Sequence, residues 1–292
     1  MSRSSLVTRS VIAILSTAFL FTQSAFSQFS RIEGDLGVMQ KPEIDSIGLI
    51  NYKVYYRTLI AQDGKAPDIK DEGITVLLLG DNGSVFKDYI QYRRYSLFWD
   101  AAKWKQPATG TMNLALTFGR SIIDYTVAVV YKEKKYIFKP ELGVSLNVRY
   151  EEPLPAFPWV ITKERKRIGA YPCTKATLYF SGREWEAWFT EELPISSGPY
   201  IFGGLPGLIL EMRDKDKEYC ISFEGMEKAG EDDTPLSIGR SRREKTLPRE
   251  KVRTMMRNFL SAPMSAIGDR IKLKEGEKPK NFSLPYNPLE LE

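Results

Sequence analysis

The chain has 292 residues, of which 27% are charged, and a formal net charge of +5. A surplus this small does not provide the basic surface on which nucleic-acid binding depends, so nucleic acid is not an expected partner. Histidine is absent from the sequence. Its absence removes the most frequent general base and the commonest metal ligand, and we expect neither a metal nor another cofactor.

The first 27 residues have the pattern of a secretory signal peptide. Two arginines precede the apolar segment Val11–Phe21, and Ala25-Phe26-Ser27 fits the small-x-small cleavage pattern. We predict cleavage after Ser27 and export to the periplasm or the cell envelope. The mature chain, residues 28–292, is expected to have no transmembrane span and to form a single β-rich domain.

Most of the mature chain has the composition of β-strands. Ile50–Leu59 is rich in β-branched and aromatic residues, and the apolar run Ile74–Leu79 predicts a strand buried on both faces. Further strands are predicted at Thr126–Tyr131, Tyr136–Pro140, Ser145–Glu151, Val160–Ile168, Cys173–Phe180, Glu184–Thr190, Leu208–Asp214 and Glu218–Glu224. Short links between several of them predict hairpins. The expected fold is mainly β (α+β), with a large curved antiparallel sheet, half-barrel-like, that covers one or two helices; a closed barrel is the alternative.

One aromatic-rich stretch interrupts the strands. Ser84–Trp104 is predicted to be a helix whose bulky side chains pack against the sheet. An aromatic-lined ligand site is the functional alternative.

Cys173 and Cys220 are candidates for a disulfide in an exported protein. Both fall on the polar faces of their predicted strands, so their orientation allows a bridge. In a simple meander, however, three steps of ~4.8 Å separate the strands, which exceeds the Cα separation of ~7 Å that a bridge tolerates. We therefore expect mostly free thiols, with the disulfide as the alternative.

Residues 185–214 contain two apolar strands joined by a connection dense in proline and glycine. The motif Gly203-Gly204-Leu205-Pro206-Gly207-Leu208-Ile209 predicts a rigid, packed corner that leads into a buried strand. A ligand-contacting loop is the alternative interpretation. Its candidate binding residues are Trp188, Tyr200, Phe202, Leu205 and Pro206.

A basic amphipathic helix is predicted near residues 248–260, followed by a C-terminal tail. Val252, Met255, Met256, Phe259 and Leu260 share one apolar face. Arg249, Arg253 and Arg257 form another row. The favoured interpretation is a helix that packs on its own domain with solvated arginines outside; binding to an anionic membrane surface is the alternative.

The segment AWFTEELPISSGPYIFGGLPGLILE, residues 187–211, resembles the signature of the GLPGLI family, envelope proteins of Bacteroidetes-type bacteria with undetermined function. The likeness extends to Trp159, to Cys173-Thr174-Lys175-Ala176, where glutamine would be expected in place of Thr174, and to Tyr286-Asn287-Pro288-Leu289-Glu290. The resemblance implies a cell-envelope location and supplies no catalytic residues.

The predicted function is that of a non-catalytic exported envelope protein. It is expected to bind a hydrophobic or peptidic partner, such as another envelope protein, a peptide or a lipid, on the concave face of the sheet or at the central loop. The rival hypothesis is a periplasmic hydrolase that uses carboxylates such as Glu184 and Glu186, which share a polar strand face.

Overall fold

The computed structural model describes residues 32–142, 146–263 and 283–291; the predicted signal peptide and its cleavage site lie outside these ranges. Fourteen β-strands and three α-helices are formed within them. The strands are β1 (Ile44–Gly48), β2 (Tyr52–Ala61), β3 (Lys70–Gly80), β4 (Gly83–Asp88), β5 (Tyr125–Val130), β6 (Lys135–Pro140), β7 (Val148–Pro153), β8 (Val160–Ile168), β9 (Tyr171–Phe180), β10 (Arg183–Thr190), β11 (Leu208–Asp214), β12 (Tyr219–Lys228), β13 (Leu236–Gly239) and β14 (Lys245–Thr246). The helices are α1 (Tyr89–Lys103), α2 (Ala108–Leu116) and α3 (Arg249–Ser261).

Twelve of the strands in the described ranges form one open sheet, in the order β14-β7-β6-β5-β4-β3-β2-β12-β11-β10-β9-β8. The edge strands β14 and β8 do not pair, so the predicted half-barrel-like sheet is confirmed and the closed barrel is wrong. Neighbouring strands are antiparallel apart from β14 and β7, which are parallel. The sheet is therefore mixed, whereas a wholly antiparallel sheet was predicted. Strands β1 and β13 pair separately.

The central strands of the sheet are buried on both faces, as predicted for Ile74–Leu79. Leu77 and Leu79 belong to the larger core cluster, which also contains α3 and the central loop. Val76 and Leu78 belong to a second cluster with residues of α1 and β13. We call the face that carries Leu77 and Leu79 the inner face, and the opposite one the outer face. Successive side chains alternate between them because a strand has a period of two.

The helix predicted at Ser84–Trp104 is wrong in its first five residues, which belong to strand β4. This strand pairs with both β3 and β5, and all six of its residues are buried, so no polar-apolar alternation marks it in the sequence. The helix begins at Tyr89. Asp88 is its N-cap, accepting a 2.7 Å hydrogen bond from the Ile90 backbone N–H.

The strand order around the cysteines is the predicted meander. Cys173 lies in β9 and Cys220 in β12, with β10 and β11 between them, and both are free thiols in this structure. Cys173 is buried within the larger core cluster, which corrects its predicted place on a polar face. Burial raises the pKa of both thiols, and this favours the poorly reactive protonated form.

Helix α3 has the predicted apolar face, and Arg257 is exposed as predicted, but Arg253 is not. Val252, Met256 and Leu260 are buried against the inner face. Arg253 is also buried, whereas solvated arginines were predicted. Within the described ranges, none of the helices has the length and apolar character that crossing a membrane requires.

Candidate functional site

The central loop, residues 191–207, is a packed corner with a fixed backbone path. Its chain folds back on itself, with backbone hydrogen bonds from Leu208 N–H to the Leu193 carbonyl (2.9 Å) and from Ile209 N–H to the Ser197 carbonyl (3.0 Å). The indole N–H of Trp159 donates to the Gly203 carbonyl at 2.8 Å. The loop is therefore held by the strands on either side of it.

Two glycines of the motif are required for different reasons. Gly204 has φ +84°, a conformation that L side chains rarely adopt. Gly207 lies so close to β10 that a β-carbon would stand 1.9 Å from the Thr190 carbonyl oxygen. The motif therefore needs glycine once for backbone conformation and once for close approach.

The structure does not bring the five candidate binding residues to one accessible surface. Tyr200, Phe202 and Leu205 are buried in the core, and the ring of Phe202 lies 5.2 Å from that of Trp185. Trp188 is buried in the same core cluster, with the ammonium of Lys166 4.3 Å from its ring centroid. Pro206 alone of the five is exposed. The motif residues Leu208 and Ile209 are fully buried in the core.

What lies over the inner face is the chain's own C-terminal tail, which we define as residues 283–291. It is not part of a strand. Leu289 and Glu290 are both 4% exposed, so these two tail residues are buried as deeply as a core strand, whereas Leu291 after them is 50% exposed. The surface formed by β2, β10, β12, α3 and the central loop beneath this tail is here called the tail groove.

Arg183, at the start of β10, is the centre of the tail groove. Its guanidinium donates to the carbonyl of Leu289 (3.1 Å), the carbonyl of Pro288 (3.1 Å) and the side-chain oxygen of Asn287 (2.7 Å). It also forms ion pairs of 2.7 Å with Asp214 and Glu218. Its side chain is only 4% exposed. A buried guanidinium is stable there because two carboxylates and three neutral oxygen atoms accept its hydrogen bonds.

A second group of contacts holds the last residues of the tail. The carboxylate of Glu290 accepts a 2.6 Å hydrogen bond from the Tyr200 hydroxyl and forms an ion pair with Arg249. Arg253 donates to the Glu290 backbone carbonyl. Burial raises the pKa of Tyr200 well above its usual range, so the phenol keeps its proton and acts as a donor.

A cavity of about 120 Å³ lies beside the tail groove. Its walls are largely apolar and aromatic, with Ile122, Tyr125 and Phe138 on the sheet side, Met256 on α3 and Leu284 on the tail. A space of this size accommodates a small apolar group. The tail thus forms part of the wall of a site that combines apolar surface with arginine donors.

The carboxylates considered for hydrolysis lie outside this groove and are engaged in ion pairs. Glu184 is exposed and pairs with Lys215 at 2.8 Å. Glu186 pairs with Lys175 at 2.8 Å and with Arg213 at 2.6 Å. Burial alone would raise the pKa of Glu186, but the hydrogen bonds from Lys175 and Trp188 and the charge of Arg213 lower it. Across residues 32–142, 146–263 and 283–291, no cluster of acidic or cysteine side chains could hold a metal ion.

Sequence reasoning missed the role of Arg183, Arg249 and Arg253 as ligands of the tail. The signal that could have found them is the pairing of an arginine row on an amphipathic helix with a single acidic residue in a Tyr-Asn-Pro-Leu-Glu tail. Neither feature is informative alone. A solvated arginine row and a polar tail are both common.

The fold and the groove define an open, mixed β-sheet protein whose inner face is filled by a loop, a helix and the C-terminal tail. A family model described as a protein of unknown function (Porph_ging) matches residues 180–211, which cover β10, the central loop and most of β11. No curated protein matches the chain.

Two solved structures with partial similarity are PNGF-II in a P21 and in a C2 space group. They are 14% and 15% identical to this chain, with TM-scores of 0.44 and 0.49. The alignments cover 63% and 71% of this chain and 29% and 32% of PNGF-II. This chain thus corresponds to less than one third of the length of PNGF-II.

Proposed function

We propose that this chain is a non-catalytic exported protein of the cell envelope that binds a hydrophobic or peptidic partner in the tail groove. One observation carries the proposal: the groove already holds a peptide segment, residues 286–290, through side chains of the folded body, beside an apolar cavity. The predicted export signal and the GLPGLI resemblance support the location in the envelope.

The state of the carboxylates supports the non-catalytic part of the proposal. A hydrolase with two carboxylates needs one of them protonated at working pH to act as a general acid. Glu186 has the opposite perturbation, because its basic neighbours stabilise the charged form. Glu184 is exposed and pairs with Lys215, so its surroundings favour the charged carboxylate over a protonated general acid.

Photo-crosslinking in intact cells tests the binding function. A photoreactive residue is placed at Ile122, in the wall of the cavity, and, as a matched control, at Ile69, which is 75% exposed in another loop. We expect a specific adduct, identified by mass spectrometry, from position 122 only. N-terminal sequencing of the purified mature protein should begin at or near Gln28.

Two results would contradict the proposal. Equal adducts at both positions, or none at position 122, would remove the groove as a binding site. Reproducible turnover in a substrate panel that is lost in Glu184→Gln or Glu186→Gln would establish the hydrolase instead.

A further inference from the structure

The tail is recognised chiefly through its backbone. Four consecutive carbonyl groups, from Asn287 to Glu290, each accept a hydrogen bond from a side chain of the folded body. The donors are Tyr219, Arg183 (twice) and Arg253. Main-chain contacts of this kind give affinity for any sequence that has the right backbone shape, while side-chain pockets give selectivity.

Three tail side chains, Asn287, Leu289 and Glu290, add sequence selectivity. The Asn287 amide group donates to the Ala61 carbonyl at 2.7 Å and to Glu218 at 3.0 Å, and its oxygen accepts from Arg183. Every polar group of this side chain is therefore matched, which a residue of another shape would not achieve.

The tail groove recognises Glu290 through its charge and Leu289 through the burial of its apolar side chain. The carboxylate of Glu290 is 5% exposed and is matched by Arg249 and the Tyr200 hydroxyl. Leu289 is part of the larger core cluster. Pro288, which lies between Asn287 and Leu289, restricts φ and reduces the entropy lost when the segment becomes ordered.

We infer that the tail groove is a site for a linear peptide with the pattern asparagine, proline, apolar residue, acidic residue, in that order. The inference rests on the proposed function and specifies its ligand. The chain's own tail occupies this site in cis. An external peptide with the same pattern binds by displacing it. Its acidic side chain pairs with Arg249, and the backbone carbonyl of that residue accepts from Arg253.

Competition between the chain's own tail and an external peptide for the tail groove provides the test. A tethered segment competes at an effective concentration of about millimolar, so the wild-type protein binds an external peptide weakly. Glu290→Gln weakens the tail by removing its charge and raises the fraction of free groove, and the apparent affinity for an external peptide rises with that fraction. Glu250→Gln, at an exposed glutamate in the first turn of α3, is the matched control.

The measurement is the fluorescence anisotropy of a labelled peptide, SLPYNPLELE, titrated with each full-length mature protein. We expect Glu290→Gln to bind it about tenfold more tightly than the wild type and Glu250→Gln do. A second peptide, SLPYNPLKLE, should bind Glu290→Gln at least tenfold more weakly than the first. Leu289→Ala provides a second weakened tail without a change of charge and should also bind the first peptide more tightly than the wild type.

The inference is overturned if Glu290→Gln or Leu289→Ala keeps the wild-type near-ultraviolet circular dichroism and yet does not bind the peptide better than the wild type. It is also overturned if the two peptides bind equally. If neither variant keeps the wild-type spectrum, the tail is an integral part of the fold rather than an exchangeable ligand, and the inference fails too. These failures differ from failure of the proposed function, because an adduct at position 122 with a partner that lacks the pattern would preserve that function.

Discussion

Lys87 offers a quantitative test of the electrostatics of this fold. Its side chain lies on the outer face of β4 and is 6% exposed, flanked in register by Val76 and Thr126. The ring of Tyr95 is 5.4 Å from its ammonium group. Among the described residues, no carboxylate is within ion-pair distance of it. Burial lowers the pKa of Lys87 to about 8.

The shift has a definite stability cost. The unfolded chain holds the Lys87 proton with a pKa near 10.5, so the native state binds it less tightly by about 2.5 pKa units. At about 1.4 kcal/mol per unit, the buried charge costs up to ~3 kcal/mol at pH 7. Replacing Lys87 with methionine, which has a similar shape and no charge, should therefore raise the free energy of unfolding by about 2 kcal/mol at pH 7.

The sign of the pH dependence follows from the same shift. Below pH 8 the lysine is protonated in both states and the full cost is present. Between pH 8 and 10.5 the native state loses the proton while the unfolded chain keeps it, so the wild type is stabilised as the pH rises. The advantage of Lys87→Met should therefore shrink steadily above pH 8 and vanish near pH 10.5.

Urea unfolding of wild type and variant at pH 7, 8.5 and 10 measures this difference, and comparison at each pH cancels the titration of other groups.

Lys53 is the matched control, because it is also a buried lysine in the sheet. Burial would lower the pKa of Lys53, but hydrogen bonds to Asp233 and Glu227 raise it overall. Lys53→Met should destabilise the protein at pH 7. The reasoning is refuted if Lys87→Met destabilises as much as Lys53→Met, or if its effect does not change with pH.

Three further outcomes are expected. Gly207→Ala should lower the free energy of unfolding by about 3 kcal/mol, because its β-carbon would stand 1.9 Å from a backbone oxygen. The control Gly110→Ala, at an exposed position in α2, should raise the free energy of unfolding by up to ~1 kcal/mol. Equal effects of the two variants in thermal melts would contradict the packed corner. Arg183→Met should cost about 3–5 kcal/mol, because it leaves the buried Asp214 carboxylate without its ion pair and the tail carbonyls without their donor. Arg57→Met, in an exposed pair, should cost much less; similar losses would refute the central role of Arg183. Non-reducing mass spectrometry should find both cysteines as free thiols, and a quantitative bridge between them would require another strand order.

Most strands could be predicted from the sequence because hairpin sheets depend on local sequence patterns. Val160–Ile168 and Leu208–Asp214 have the predicted bounds, and short turns fix the order of their neighbours. The glycine and proline density of the central motif also predicted its packed path. Such features depend on alternation and turn chemistry, which act over a few residues.

Other elements were decided only by tertiary contacts. Strand β4 has no alternation because β3, β5 and the two core clusters surround it. Strands β13 and β14 are short and pair with β1 and β7, which lie far away in the chain. A local pattern contains no information about such partners.

The tail groove depends most on tertiary structure. Whether an arginine is solvated or buried depends on the acceptors that surround it. For Arg183 three of these, besides Asp214 and Glu218, come from residues 104 to 106 positions later in the chain. The sequence by itself determined that α3 is amphipathic and basic and that a Tyr-Asn-Pro-Leu-Glu segment follows it. Only the folded chain brings Glu290 to Arg249 and Tyr200, because desolvating a charge is favourable only where its partners are already in place.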